Sequence, residues 1–211
     1  MEYQRDPKQI QTIAGWLSTG SINVFGRPFS GKDTQAQYLS KLFGAPVIGG
    51  GKIIRNSSHQ EVKNIIDKGE LAPISAYLDI VLPYFSQSKF NGSPLILSSV
   101  GRWHGEEKGV MQALKTSAHE LKAVILLDID ENEVRSRWKA AQTLGDRGRR
   151  ADDAHGALDV RLEEFRNKTL PVIEFYRQNE LLIEVDGKAK EDKVTTEILT
   201  KLVAFASAQG V

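Results

Sequence analysis

The chain has no cysteine, which excludes disulfides and thiolate metal centres, zinc-clamped lids included. It has no surplus of either charge: 28 Lys and Arg face 27 Asp and Glu, a formal net charge of +1. A general affinity for nucleic acid or anionic membrane is therefore not expected, and any positive charge that matters must be local. No apolar run approaches the ~20 residues needed to span a bilayer. The opening Met1-Glu2-Tyr3-Gln4-Arg5-Asp6 lacks the apolar core of a signal peptide. The expectation is a cytoplasmic monomer that engages small molecules, with no nucleic-acid or membrane partner. His59, His104, His119 and His155 show no metal-ligand spacing and read as surface residues, while Trp16, Trp103 and Trp138 read as packing. No Ser-His-Asp arrangement, repeat or low-complexity segment emerges.

What is present is an ordinary globular composition, 40% hydrophobic and 26% charged over 211 residues, enough for one good core. Short Ile-, Val- and Leu-rich runs at 22–25, 46–48, 95–99, 123–128 and 181–185 read as strands buried on both faces. Helix-period segments lie between them, at 31–43, 51–57, 60–68, 74–86, 106–119, 131–144, 153–178 and 191–207. An extra amphipathic helix over 6–17 precedes the first strand, so residues 1–19 read as a helical extension and 20–211 as the main domain. The alternation predicts an α/β fold, a five-stranded parallel sheet flanked by helices in three α/β/α layers with right-handed crossovers. Ligands of such sheets bind beyond the carboxyl ends of the strands.

The most telling strand end is the first. Ile22-Asn23-Val24-Phe25 runs into Gly26-Arg27-Pro28-Phe29-Ser30-Gly31-Lys32-Asp33-Thr34-Gln35, a Gly-x-x-x-x-Gly-Lys turn with a helical pattern directly behind it. Such a loop curls backbone N–H groups around an anion, the helix N-terminus adds partial positive charge, and the lysine reaches the outer phosphates. The expected ligand is ATP or a similar triphosphate, held by Arg27, Pro28, Phe29, Ser30, Gly31, Lys32, Asp33 and Thr34 in a P-loop NTPase fold. Phe29 is bulky for a tight loop.

Gly-x-Pro-x-Ser-Gly-Lys-x-Thr-Gln resembles the phosphate loop of adenylate kinases and related nucleoside monophosphate kinases, and the likeness extends over roughly residues 20–204. Pro46-Val47-Ile48-Gly49-Gly50-Gly51-Lys52-Ile53-Ile54-Arg55 resembles that family's second strand and following helix, which implies that Arg55 holds a monophosphate. Lys68-Gly69-Glu70-Leu71-Ala72-Pro73 is similar to the stretch bordering the acceptor base. Leu95-Ile96-Leu97-Ser98-Ser99-Val100-Gly101-Arg102 stands where the family has Asp-Gly-Phe-Pro-Arg, and Arg102 matches its phosphate-binding arginine. Arg137 is placed like the arginine of the helix leading into the lid. Gly148-Arg149-Arg150-Ala151-Asp152-Asp153 resembles the lid's Gly-Arg-x-Asp-Asp, and Arg161-Leu162-Glu163-Glu164-Phe165 the Arg-Leu-x-x-Tyr that follows.

The resemblance implies a nucleoside monophosphate kinase that moves the γ-phosphate of ATP with Mg2+, through an acceptor-binding insert at about 50–80 and a short lid at about 138–152. Lys32, Arg102, Arg137, Arg150 and Arg161 would then carry transfer, with Arg137 also on the ATP side. Gly50, Arg55, Ala72, Arg102, Glu106, Arg150 and Arg161 would hold the acceptor. Charge supports the carry-over: phosphoryl transfer is alignment plus stabilisation of anionic charge, and guanidinium forks suit phosphate oxygens.

Three departures from the family pattern stand out. Ser98 replaces the aspartate that holds water on magnesium, and Asp33 appears where the family has glycine. Asp33, with Thr34 beside it, is expected to take over part of the magnesium shell; the other reading is a helix-N-terminal acid tied to an arginine. Gly49-Gly50-Gly51 replaces Ser-Thr-Gly, and Glu106 stands for Gln or Asn. An ionised glutamate only accepts hydrogen bonds, so it favours a base edge bearing an amino group. The acceptor stays open, with AMP first and CMP or UMP after it. Two other functions remain: another small-molecule P-loop kinase, and a non-catalytic nucleotide-binding module motivated by Ser98 and Phe29.

Overall fold

The computed structural model describes residues 6–144 and 157–210. The five apolar runs become β1 (Ser21–Gly26), β2 (Val47–Gly49), β3 (Leu95–Ser98), β4 (Leu121–Asp128) and β5 (Leu182–Asp186). All pair in parallel, in the order β2-β3-β1-β4-β5. The described helices are α1 (Pro7–Leu17), α2 (Lys32–Phe43), α3 (Gly50–Asn56), α4 (Gln60–Asp67), α5 (Ile74–Val81), α6 (Glu106–Thr116), α7 (Glu131–Leu144), α8 (Ala157–Glu164), α9 (Leu170–Gln178) and α10 (Glu191–Ala208).

Alternate strand residues feed two apolar layers. Ile22 and Val24 of β1 and Ile125 and Leu127 of β4 join α1, α2 and α10 on one side. Phe25, Val124 and Leu126 join α5, α6 and α9 on the other. Burial on both faces is why the strands read as continuous apolar runs rather than as alternation. The chain leaves β1 through α2 for the β2 edge, returns to β3, and only then crosses to β4. The neighbours of β1 are thus reached from opposite directions, which opens a crevice at its carboxyl end.

Two predicted helices are interrupted, both at proline. The segment expected over 74–86 is α-helical only to Val81 and continues as a 3-10 turn over Leu82–Ser86, because Pro83 has no N–H for the next α-type bond. The segment expected over 153–178 resolves, within the described residues, into α8, a π turn over Phe165–Thr169 and α9. Pro171 sits in the first turn of α9, and the wider turn before it accommodates the missing donor. Most of the lid expected at about 138–152 lies outside the described residues.

Candidate active site

Glycine geometry closes the phosphate loop. A Cβ at Gly26 would fall 2.3 Å from Ser30 Oγ, so only glycine lets β1 turn back on itself there. Gly31 adopts φ 87° and begins α2, which sets Lys32 and Asp33 on the helix's first turn. Phe29 has φ 62°, a conformation that costs a residue with a Cβ ~1–2 kcal/mol. Its ring does not face a phosphate cradle: it is 7% exposed and packs with Ile129, Val134, Leu158 and Leu162.

The second wall is the turn after β3, which carries Arg102. Ser99 (φ 49°) and Gly101 (φ 72°) bend it sharply. Asn23, wholly buried in the middle of β1, holds the turn by a two-point clamp: its Nδ2 donates to Val100 O at 2.8 Å, and Val100 N donates to its Oδ1 at 3.2 Å. Gly101 N donates to the Tyr77 hydroxyl at 2.7 Å, and Thr169 Oγ1 to Arg102 O at 3.1 Å. Tyr77 reaches that position because Gly50 lacks a side chain; a Cβ there would lie 3.0 Å from the hydroxyl. Burial, and after it the Glu106 carboxylate, push the Tyr77 pKa well above the ordinary phenol value, so it stays neutral.

The third wall comes from α3 to α5. Arg55 on α3 is held by Asp67 at 3.6 Å. The segment after α4 is docked against α8: Leu71 N donates to Glu164 Oε2 at 3.0 Å, and a Cβ on Gly69 would fall 2.8 Å from Ala157 O.

These walls enclose a cleft whose lining, among the described residues, includes Lys32, Lys52, Arg55, Arg102 and Arg161 against two acids, Asp33 and Glu70. Such a balance suits a polyanion. Burial first, then the positive charge of Arg161, lower the pKa of Arg102 from the usual arginine value. It is a partly buried cation before any ligand arrives, and the lower local dielectric strengthens its attraction to an incoming phosphate. Across the floor Ser98 Oγ donates to Asp33 Oδ1 at 2.5 Å, so two of the departures read from the sequence meet in one hydrogen bond.

Of the expected residues, the structure gathers Lys32, Asp33, Arg55, Arg102 and Arg161. Others stand elsewhere. Gly49 and Gly51 line the cleft, whereas Gly50 lies beneath Tyr77. Ala72 is 3% exposed in the apolar layer behind the wall. Ser30 is buried inside the loop, Pro28 borders a narrow extension of the cleft, and Thr34 is exposed on α2. Arg27 turns away from the phosphate side: Nη1 donates to Asp128 Oδ1 at 3.1 Å and Ile129 O at 2.9 Å, and the guanidinium lies over Phe165. Arg137 is bonded to Glu133 Oε1, Gly187 O and Phe29 O, at the outer side of the loop. Glu106, expected to read the acceptor base, is 2% exposed and accepts from Trp103 N at 3.1 Å. Gly105 (φ 103°) begins α6 so that Glu106 and Glu107 both turn inward. Arg149, Arg150, Asp152, Asp153 and His155 lie outside the described residues.

His119 is not a surface residue: it is 1% exposed, with Nδ1 at 2.9 Å from Thr19 O. Sequence reasoning passed over Lys52, Asn23, Tyr77 and Thr169 as site residues. Asn23 alone carried a signal, a polar side chain in an otherwise apolar strand.

The matches to known proteins cover the same walls. The sequence model described as "Adenylate kinase" matches residues 24–181, from β1 to the residue before β5. An adenylate kinase of Leifsonia xyli is 34% identical over 186 residues, covering 85% of this chain and 91% of that one. One of Bartonella quintana is 34% identical over 187 residues, with 84% and 96% covered. One of Methanocella arvoryzae is 26% identical over 205 residues, with 83% and 94% covered. With the phosphate loop, the arginine-bearing turn and strands β2 to β4 all inside the matched region, the chain belongs to the adenylate kinase family.

Proposed function

We propose that this chain transfers the γ-phosphoryl group of ATP to a nucleoside monophosphate, AMP before others, with magnesium. The carrying observation is one cleft in which the phosphate-loop Lys32 is joined by Arg55 and Arg102 from the opposite walls, with Arg161 as a further cation. The relatives named adenylate kinase support AMP as the acceptor. An oxygen of the acceptor's phosphate attacks the γ-phosphorus, the bond to the β–γ bridging oxygen breaks, and ADP leaves. No side chain has to act as nucleophile. Lys32, Arg102 and Arg161 stabilise the charge spread over the migrating group, and Arg55 holds the acceptor's phosphate. In this reading residues at about 50–80 form the acceptor-binding insert, Arg137 and Arg150 act from the lid side, and the chain works as a monomer. We place the reaction in the cytoplasm, where both nucleotides are abundant.

Magnesium fits the donor set. Asp33 and Ser98 offer hard oxygen atoms beside Lys32, with the Thr34 hydroxyl on the same turn of α2. Among the described residues no group of three or more His, Asp or Glu side chains forms a metal cage, and magnesium between phosphates needs only one or two protein oxygens besides water. When bound, the ion would supply positive charge that neutralises the charge developing on the transferring phosphoryl group. Asp33 and Thr34 would hold it through water.

The test is turnover of purified protein with ATP, magnesium and each of AMP, CMP, UMP, GMP and dTMP. The fastest turnover is expected with AMP, with kcat lowered by about 10²–10³ in Lys32→Ala. Binding of ATP with no turnover of any acceptor would instead favour a non-catalytic module. In Asp33→Gly, the magnesium concentration needed for tight ATP binding, read by calorimetry, is expected to rise; an unaltered requirement would remove Asp33 from the metal's shell.

A further inference from the structure

We propose that Phe29 is a positioning residue that couples the phosphate loop to the two helices flanking the lid region and thereby sets Arg137 and Arg161 for transfer. The inference rests on the kinase reading above. Phe29 holds φ 62° in the tightest part of the loop, and bulky side chains rarely stand in that region. Such conformations persist only where the surroundings hold them, and they concentrate at functional sites.

The surroundings here are specific. The ring is the phosphate loop's contribution to a small apolar cluster whose other buried members are Ile129, Val134 of α7, and Leu158 and Leu162 of α8. This cluster is separate from the two layers that cover the sheet. The same residue meets both arginines. Its carbonyl accepts from Arg137 Nη1 at 3.3 Å, and its ring lies 5.9 Å from the Arg161 guanidinium carbon, within cation–π reach. Arg137 is fixed at its other end by Gly187 O at 2.8 Å. One side chain and one carbonyl therefore connect the loop that grips the donor phosphates to an arginine on each flanking helix. Fixing the loop on a triphosphate fixes the ring, and the ring holds α7 and α8. A glycine at this position would relieve the backbone and leave the cluster without its loop-side member.

The test compares the native chain with Phe29→Gly, Phe29→Leu and Phe29→Tyr by steady-state kinetics and by hydrogen exchange with and without ATP. Phe29→Tyr keeps the ring and is expected to hold kcat within about threefold of native. Phe29→Gly is expected to lower kcat at least about tenfold while KM for ATP moves less than about threefold, and Phe29→Leu to fall between. ATP is expected to slow exchange in α7 and α8 of the native and Tyr proteins. In the Gly variant that protection is lost while α2 remains protected. A merely structural wedge would lower stability without dividing kcat from KM. Native kcat in Phe29→Gly, or ATP-induced protection of α7 and α8 persisting in it, overturns the proposal. If the Gly variant does not fold, Phe29→Leu decides: lowered kcat with rescue by Tyr supports the coupling, and native kcat refutes it. A native chain that turns over no acceptor defeats the kinase reading alone, because the exchange comparison with ATP still decides the coupling. No ATP-induced protection of α7 and α8 in the native chain overturns the coupling itself.

Discussion

Burying a carboxylate costs free energy whenever the group ionises, and Glu106 is buried to 2% exposure. Burial pushes its pKa up from 4.5 to about 7, although the Trp103 amide and Arg102 pull in the other direction. Between those two pH values the folded chain keeps a proton that the unfolded chain has released. Stability from this group is therefore full below about pH 4.5 and is lost as the pH rises to about 7, by up to ~3 kcal/mol. Glu106→Gln removes the titration and leaves an uncharged side chain of the same length. We expect its melting temperature to vary less than that of the native chain between pH 5 and 8, and to exceed it at pH 8; parallel curves would show that the Glu106 carboxyl does not titrate in this window. The sequence marked Glu106 as functional from its place after Arg102 and its residue type. Its inward turn depends on the left-handed Gly105, which composition and spacing do not reveal. His119 was misjudged for a related reason: its partner is the Thr19 carbonyl, 100 residues away in the chain.

At the scale of elements, the turn after β3 shows how a strand positions a guanidinium. Val100 is fully buried, and Asn23 satisfies both its N–H and its carbonyl. Asn23→Leu fills similar space and strands both groups, each costing about 1–3 kcal/mol when left without a partner. Denaturant unfolding is expected to show a loss of about 2–6 kcal/mol. Arg102 lies two residues beyond the clamp, so KM for the acceptor should rise more than KM for ATP. The reverse order would mean that the clamp serves the donor side. The strands themselves were legible from short Ile, Val and Leu runs, because both faces of the sheet are covered and the pattern needs no partner to be read. The proline-broken helices were not, since periodicity alone continues through Pro83 and Pro171 and only the missing donors stop it. Lys32 was legible from the Gly-x-x-x-x-Gly-Lys turn itself, whereas Arg55, Arg102 and Arg161 were legible through motifs that resemble those of the adenylate kinase family. Tyr77 was not, because its role is to reach from α5 beneath Gly50 to Gly101.

For the molecule as a whole, the amphipathic helix that the sequence places before the first strand adds to the core through α1. Asp6 caps the helix by accepting from Lys8 N at 2.9 Å, and Pro7 stands at its start, where the absent N–H costs nothing. Ile13, Trp16 and Leu17 then join the same apolar layer as Ile198, Leu202 and Ala206 of α10 and the inner strands. Trp16 Nε1 donates to Gln209 Oε1 at 2.9 Å, and its ring meets Phe205 edge-on. α1 thus covers part of the core, at a distance from the chemistry: none of the cleft's lining residues belongs to it. Stability and catalysis should separate here. Ile13 is wholly buried, so Ile13→Ala is expected to cost ~2–5 kcal/mol and to lower the melting temperature by about 2–4 °C for each kcal/mol in a protein of this size. At 15 °C, where the variant is still folded, kcat and both KM values should stay within about twofold of native. A cold, fully folded Ile13→Ala protein with kcat reduced tenfold or more would show that the core beneath α1 is coupled to the cleft; an unchanged melting temperature would show that α1 does not contribute to the core as the packing requires.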